Sequence, residues 1–350
     1  MSDRSACRPD ARVPPGHGRT GSLDARGQPP RHEDRVAQAA ASPGDLSRLA
    51  ASWRRSMIRH GLDPAAPPPR RQVPAGDLRL RQERLGRLIA IAGPQFDQLF
   101  QLLGAAGCNV MLTDAEGIVL DHRVSAADDA TFRGWGLWPG ADWSEAAQGT
   151  NGIGTCLAEG RQVTIHRDEH FYAANIGLSC MDAPIWGPDG RLMAALDVSS
   201  ARADHTQAWN ALIAAQVAHS ARLIEAAFFR ASFPGARIIA AQPETPEAPA
   251  LLLAVDGNDL TIGANRAARR AFGLKREGRL RPRPASDLLG RPDEATGLER
   301  AERAAVMRAL ARAQGNVSAA ARALGIGRAT LYRRMARLGI AENPGRLSRG

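Results

Sequence analysis

Two histidines, His166 and His170, stand four residues apart in "HRDEHF". On a helix that spacing puts both rings on one face, where they can share a metal ion. No third ligand is near in sequence, so histidines satisfied by hydrogen bonds are the stronger reading. Cys7, Cys108, Cys156 and Cys180 form no CxxC pair and no short metal spacing, which suits reduced thiols. Cys156 and Cys180 lie in apolar stretches, where a thiol is more often buried than reactive; a thiol redox enzyme using one of them is the enzyme-class alternative. The sequence has no GxSxG elbow, no HExxH and no close carboxylate pair in a glycine frame. Its one lysine, Lys275, lies in "GLKREG", so it has no GxxxxGK[ST] phosphate loop. These patterns predict no catalytic residues, no metal site, no cofactor and no enzyme activity.

Binding chemistry is better supported. In "GWGLWPGADWSEAAQGTNGIGT", Trp135, Trp138 and Trp143 precede a glycine-rich run, a composition that can wall an apolar pocket and let backbone N–H groups approach a ligand. Ordinary core tryptophans would look the same. "GTNGIGT" lacks the preceding strand and partner acid of a dinucleotide loop. The candidate ligand contacts are Trp135, Trp138, Trp143, Cys156, Phe171 and Cys180.

The C-terminal stretch "GNVSAAARALGIGRATLYRRMARLGI", Gly315 to Ile340, carries a different chemistry. Asn316 is placed to cap a helix whose Val317, Ala320, Ala321 and Leu324 face inward, and Gly325 permits the turn. A helix from Arg328 to Leu338 then buries Leu331, Met335 and Leu338 at i, i+4 and i+7. Its other face carries Ala329, Tyr332, Arg333 and Ala336, flanked by Arg328, Thr330, Arg334 and Arg337. Small residues and arginines facing outward suit the DNA major groove, where arginine reads guanine and its neighbours meet phosphates. A helix before this pair, from Leu298 to about Gln314, should bury Ala301, Ala305, Leu310 and Ala313.

The supporting elements follow from composition and periodicity. Formal charge sums to +7 over residues 1–97, −7 over 98–232, +2 over 233–297 and +8 over 298–350. Basic ends around an acidic middle suit a polyanion-binding module joined to a domain that avoids polyanions. Residues 1–43 read as disordered and 341–350 as a tail. From Leu46 to about His60, an amphipathic helix should bury Leu49, Ala50, Trp53 and Met57. Another carries Phe96, Leu99, Phe100 and Leu103. "NVMLTDAEGIVL" and "APIWGPDGRLMAALDVSS" read as strand, turn, strand, and a long helix should bury Trp209, Leu212, Ile213, Leu223, Ile224 and Phe228. The whole predicts an α+β domain over 44–232, a linker with a short hairpin-and-helix segment over 233–297, and a small all-α domain over 298–340. No signal h-region and no run of about 18 apolar residues is evident, which predicts a soluble, cytoplasmic protein without a membrane partner.

Several of these pieces resemble a known family. "SWRRSMIRHGLDP", "GTNGIGTCL", "EHF" and "LSCMDAPIWGPDGRLMAALDVSS", in that order, resemble the GAF-containing sensor half of the acetoin-catabolism regulators, and "ANRAARRAFGL" is similar to part of a PAS segment. The terminal stretch resembles the Fis-type helix-turn-helix of bacterial enhancer-binding regulators. The resemblance implies an antiparallel GAF sheet with flanking helices, a small-molecule effector, and DNA contacts through Arg328, Thr330, Tyr332 and Arg333. Gly327 replaces the polar residue frequent at that helix start. Relatives carry an ATP-driven motor for sigma-54 polymerase, which the missing phosphate loop argues against here. A motor-less regulator of double-stranded DNA is expected, acting as a homodimer, with RNA polymerase as partner if it recruits. An architectural DNA-binding protein with a non-sensing assembly domain is the alternative.

Overall fold

The computed structural model describes residues 30–42, 47–204, 206–242, 245, 249–257, 259–289 and 297–340. His32–Ala41 (α1) is helical, which corrects the expectation of disorder up to residue 43. Its Val36 and Ala40, four apart, are buried against Trp53, Phe171 and Tyr172, a local apolar stripe that segment-wide composition averages away. The rest of the predicted disorder, residues 1–29, and the tail, 341–350, lie outside the described residues. Arg48–Arg54 (α2) starts at Ser47, whose hydroxyl accepts from the Ala50 N–H at 3.1 Å, and runs on as a π-helical turn, Arg55–Arg59. Ala50 and Trp53 are buried as their spacing predicts, with Leu49 and Met57 packed at the edge; Leu46 lies outside the described residues. Ala75–Arg84 (α3) leads to Gly86–Leu103 (α4), which buries Leu88, Ala92, Phe96, Leu99 and Leu103 on one face and half-buries Phe100.

Cys108–Thr113 (β1) and Val119–Arg123 (β2) form the first hairpin. Asp114 opens its turn by accepting from the N–H groups of Glu116 and Ile118 at 2.9 and 3.0 Å, and Gly117 takes φ +87°. Short helices Asp129–Trp135 (α5), Glu145–Gln148 (α6) and Gly152–Glu159 (α7) follow. Val163–His166 (β3), Ser179–Trp186 (β4) and Leu192–Ser200 (β5) complete an antiparallel sheet of order β2-β1-β5-β4-β3.

Strand alternation divides this sheet into two chemically different faces. Val110 and Leu112, Met181, Ala183 and Ile185, and Leu196 and Val198 join the main apolar core with α4 and the long helix Gln207–Ser232 (α8). Each fully buried Leu or Phe there contributes about 1.5–3 kcal/mol. The opposite face, beneath α5–α7, carries Asn109, Met111, Cys180, Asp182, Asp197 and Ser199, all buried.

The stripe on α8 differs from expectation. Ile213, Ala214, Val217, Ser220, Ala221, Ile224 and Phe228 face the core, whereas Trp209, Leu212 and Leu223 are exposed. Small residues at 214, 220 and 221 let the helix sit close to the sheet, and that choice turns Leu212 and Leu223 outward. Among the described residues α8 is also the one helix long and apolar enough to cross a membrane, which qualifies the expectation that no such segment exists; here it is a core helix on β4.

The segment expected to be mostly linker is folded. Arg237–Ala241 (β6), Leu251–Val255 (β7), Leu260–Ala264 (β8) and Arg283–Pro284 (β9) form a second antiparallel sheet, covered by Arg266–Ala271 (α9) and Ala285–Leu289 (α10). Asn265 caps α9 as predicted, accepting from the Ala268 N–H at 2.9 Å. Sequence composition hid this sheet because one of its staples is a buried arginine: Arg269 donates to the carbonyls of Ala264, Lys275 and Gly278 at 2.7, 2.9 and 2.8 Å.

Gly149 marks the tightest turn in the sensor layer. It has φ +62°, and an added Cβ would lie 2.5 Å from Phe171 Cγ. Gly149→Ala is therefore expected to lower stability by about 1–3 kcal/mol through backbone strain and overpacking. Urea unfolding should show a lower midpoint with an unchanged slope.

Candidate functional site

The nucleic-acid face is built on three helices. Gly297–Arg312 (α11), Val317–Ala323 (α12) and Arg328–Arg337 (α13) bury Val306, Ala309, Leu310, Ala320, Ala321, Leu331, Met335 and Ile340 in one core. On α11 the inward residues include Val306 and Ala309, while the expected Ala301 is exposed. Without the α12 and α13 contacts, the alanine-rich sequence of α11 cannot fix which stripe turns inward. Asn316 caps α12 by accepting from the Ala319 N–H at 3.1 Å, and Gly325 takes φ +67° to turn the chain into α13.

On α13, Leu331 and Met335 point inward, and Arg328, Ala329, Arg333 and Ala336 are exposed. Thr330 and Tyr332 are half-buried beside them. The Arg328 guanidinium lies 5.5 Å from the Tyr332 ring centroid and its Nη2 is 3.4 Å from the Tyr332 hydroxyl. The arginines nearer the helix end are engaged differently. Arg334 pairs with Glu302 of α11 at 3.1 Å, and Arg337 pairs with the other oxygen of that carboxylate. The six predicted DNA contacts thus divide into Arg328, Thr330, Tyr332 and Arg333 on the outer face and two arginines that brace α13 on α11.

In the sensor, the three tryptophans come together. Trp135, Trp138 and Trp143 line a cleft of about 220 Å³ with Arg70, Arg71, Arg133, Gln148 and Asn175. The Trp143 indole N–H donates to the Gly136 carbonyl at 2.8 Å, and Arg133 lies 4.5 Å over the Trp138 ring. Asn175 is buried and its amide nitrogen has no hydrogen-bond partner among the described residues. Cys156, Phe171 and Cys180 do not line this cleft. Phe171 packs with Tyr172 and Trp53 against α1, and Cys156 lies between α7 and the sheet with Val163, Ile165 and Ala195.

Cys180 belongs to a buried polar row. Its thiol is 3.5 Å from His170 Nε2, while His170 Nδ1 donates to the Arg167 carbonyl at 2.9 Å. Burial lowers the His170 pKa to about 4, so the ring is neutral. Burial also pushes the Cys156 and Cys180 thiols well up, and a protonated thiol is a poor nucleophile. His166 bonds to the Ser179 hydroxyl at 2.7 Å and to the Asn210 amide at 3.0 Å. The histidine pair is thus occupied by hydrogen bonds in a segment that is not an α-helix, and no metal-binding cluster occurs among the described residues.

Next along the strands, Asp182 and Asp197 stand directly opposite each other in the β4–β5 register, both with no exposed surface. The Ser199 hydroxyl donates to Asp197 Oδ2 at 2.9 Å. Burial raises the Asp197 pKa to about 7; burial and then the Asp197 charge raise that of Asp182 well above the carboxylate range. The sequence reading missed this pair. Its signal is present, since each aspartate occupies a core-facing beat of an otherwise apolar strand, in "CMDAP" and "ALDVS".

Known proteins share both parts. Residues 87–227 match the GAF domain family, and residues 297–338 match the bacterial regulatory protein, Fis family. The acetoin catabolism regulatory protein of Cupriavidus necator is 35% identical over 260 residues, 73% of this chain and 37% of that protein. The acetoin dehydrogenase operon transcriptional activator AcoR of Bacillus subtilis is 29% identical over 154 residues, 43% of this chain and 25% of that protein. The chain therefore spans less than two fifths of the length of these relatives. Among solved structures, the E. coli DhaR(N)–DhaL complex contains a chain 14% identical, with TM-score 0.47, covering 68% of this chain and 80% of that one.

The buried acids set a pH dependence. Unfolded, Asp197 ionises near the ordinary 3.8; folded, it holds its proton to about 7. The folded state binds more protons between those values, so stability falls as pH rises from about 4 to about 7. The wild-type melting temperature should drop across this window, and the drop should flatten in Asp197→Asn. Equal slopes in calorimetric scans of the two proteins would contradict the assignment.

Proposed function

From a chain that joins a GAF domain to a Fis-family helix-turn-helix, we propose a sequence-specific DNA-binding transcription regulator whose GAF domain senses a small metabolite. The observation that carries this reading is the exposed face of α13, where Arg328 and Arg333 flank the small residues Ala329 and Ala336. Arg333 meets no carboxylate among the described residues, so its guanidinium is available to a base edge, while the alanines allow close approach to a groove. Arg334 and Arg337, already neutralised by Glu302, retain capacity for phosphates.

The regulator acts by binding, without ATP hydrolysis, because its sequence offers no lysine-bearing phosphate loop. It works as a homodimer in the cytoplasm, on half-sites about one helical turn apart, and reaches transcription by repression or by recruiting RNA polymerase. The effector is an acetoin-like or alcohol-derived molecule, by similarity to relatives named for acetoin catabolism. The tryptophan cleft is its route into the sensor.

Selection of binding sites from random duplexes, followed by anisotropy titrations, tests the DNA reading. Arg333→Ala should cost about 1–3 kcal/mol on the selected site and relax its sequence preference. Arg337→Ala should weaken all duplexes by a smaller, even amount, and affinity should fall steeply with salt. Undiminished binding by an Arg328→Ala/Arg333→Ala double variant would refute the interface.

A further inference from the structure

Four buried acceptor atoms on the α5–α7 face of the sheet have no hydrogen-bond donor among the described residues: both carboxylate oxygens of Asp182, Oδ1 of Asp197 and Oδ1 of Asn109. Their positions are fixed by register. Asp197 pairs with Asp182 on one side and Met111 on the other, and Asn109 pairs with Ser199 one step along the same face. Direct and diagonal neighbours on one sheet face lie about 5–8 Å apart, which is the span of a small molecule. Asn109 is oriented by its own amide, which donates to the Leu137 carbonyl at 2.9 Å, leaving Oδ1 unused. Unsatisfied buried acceptors are costly and uncommon in native proteins. A cluster of four on one face is a site that awaits donors.

The surroundings select the donor-bearing molecule. The chamber walls are apolar, with Met111, Ile153, Leu178 and Cys180 in one buried cluster that also contains Trp143 of the cleft. The Leu137 carbonyl that holds Asn109 sits between Gly136 and Trp138, both cleft residues, so the cleft wall and the acceptor cluster are one residue apart. Arg70, Arg71 and Arg133 at the cleft disfavour entry of a cation, and the facing carboxyls disfavour an anion. What remains is a neutral molecule rich in hydroxyl groups.

We propose that Asp182, Asp197 and Asn109 are the polar anchor of the sensor, binding a small neutral compound that carries two adjacent oxygens with at least one hydroxyl, such as a vicinal diol. This deepens the sensing reading and rests on it. Entry requires the first turn of α7 to yield, because a Cβ on Gly152 would overlap Asp182 Oδ2 and lie 2.5 Å from Cys180 Cβ. That turn is bonded onward: Thr155 and Thr150 meet the Ser52 hydroxyl of α2 at 3.3 and 2.8 Å. Displacement at the anchor thus reaches the lead-in helices.

The test is calorimetric titration and thermal melting of the full chain with butane-2,3-diol, its dimethyl ether and butane-2,3-diamine. The diol should bind and raise the melting temperature, and the ether and the diamine should bind at least about 10-fold weaker, given that a hydrogen bond to a charged acceptor is worth about 1.5–3 kcal/mol. Asp182→Asn/Asp197→Asn should bind the diol at least about 10-fold weaker while melting no lower than wild type without ligand, since the amides relieve the buried acid pair. Diol binding untouched by the double variant overturns the anchor, as does preference for the diamine or failure of all three to bind wild type. Diol binding through the aspartates that leaves DNA affinity unchanged keeps the anchor and overturns the sensing reading instead.

Discussion

The in-register pairing of β4 with β5 is the constraint on which the sensor depends. Because side chains alternate along a strand, the register that sends Met181, Ala183, Leu196 and Val198 into the α4–α8 core also sets Asp182 against Asp197 on the other face. A slip of one residue in either strand would exchange the faces, placing a carboxylate among Leu99, Val217 and Ile224. The apolar core therefore holds two acids where neither water nor a counter-charge relieves them. That cost is why the α5–α7 face, rather than the helical face, is where a ligand has something to gain.

Helices outside the sheet are fastened to this same layer. Arg55 grips the buried Glu145 of α6 with two hydrogen bonds of 2.8 and 2.6 Å, Ser52 donates to that carboxylate at 2.7 Å, and Trp53 donates to the Glu169 carbonyl at 2.9 Å. Such bidentate, partly buried contacts are stiff and specific. On the far side, the β4–β5 turn meets the second sheet: Gly278 N–H donates to the Asp189 carbonyl at 2.8 Å, and the Arg266 guanidinium stacks 3.3 Å from the centre of the Trp186 ring. The central hairpin thus touches the polar anchor at its middle and the second sheet at its tip.

What the sequence revealed was what local patterns encode. Asp114 and Gly117, Asn316 and Gly325, Asn265, and the inward Leu331 and Met335 are each fixed by chain neighbours, and each was readable. The α+β architecture and the terminal helices followed from them. Tertiary choices were not readable. Whether α8 buries Leu212 or Ala214 depends on how near the sheet lies, and Arg269 looks like a surface cation until three carbonyls close around it. The tryptophans were legible as pocket walls, but Cys156 and Phe171 were not separable from them by composition, because every buried apolar residue looks alike in one dimension. The aspartates were the overlooked evidence: a charge on an inward strand position is rare enough to mark a site unaided.

The terminal module carries a last consequence. Glu302 engages Arg334 and Arg337, so the C-terminal half of α13 is braced against α11 while the N-terminal half is left to read DNA. That leaves Arg333, with Arg328, Thr330 and Tyr332, as the set able to reach base edges. One good bidentate contact discriminates by about 1–3 kcal/mol, whereas specific sites exceed non-specific ones by about 4–10 kcal/mol. A single copy of α13 falls short of that gap. Two copies held at a fixed spacing close it, and a sensor that alters the spacing controls the sum without touching either helix, which is the physical reason to couple a ligand-responsive GAF domain to so small a DNA reader.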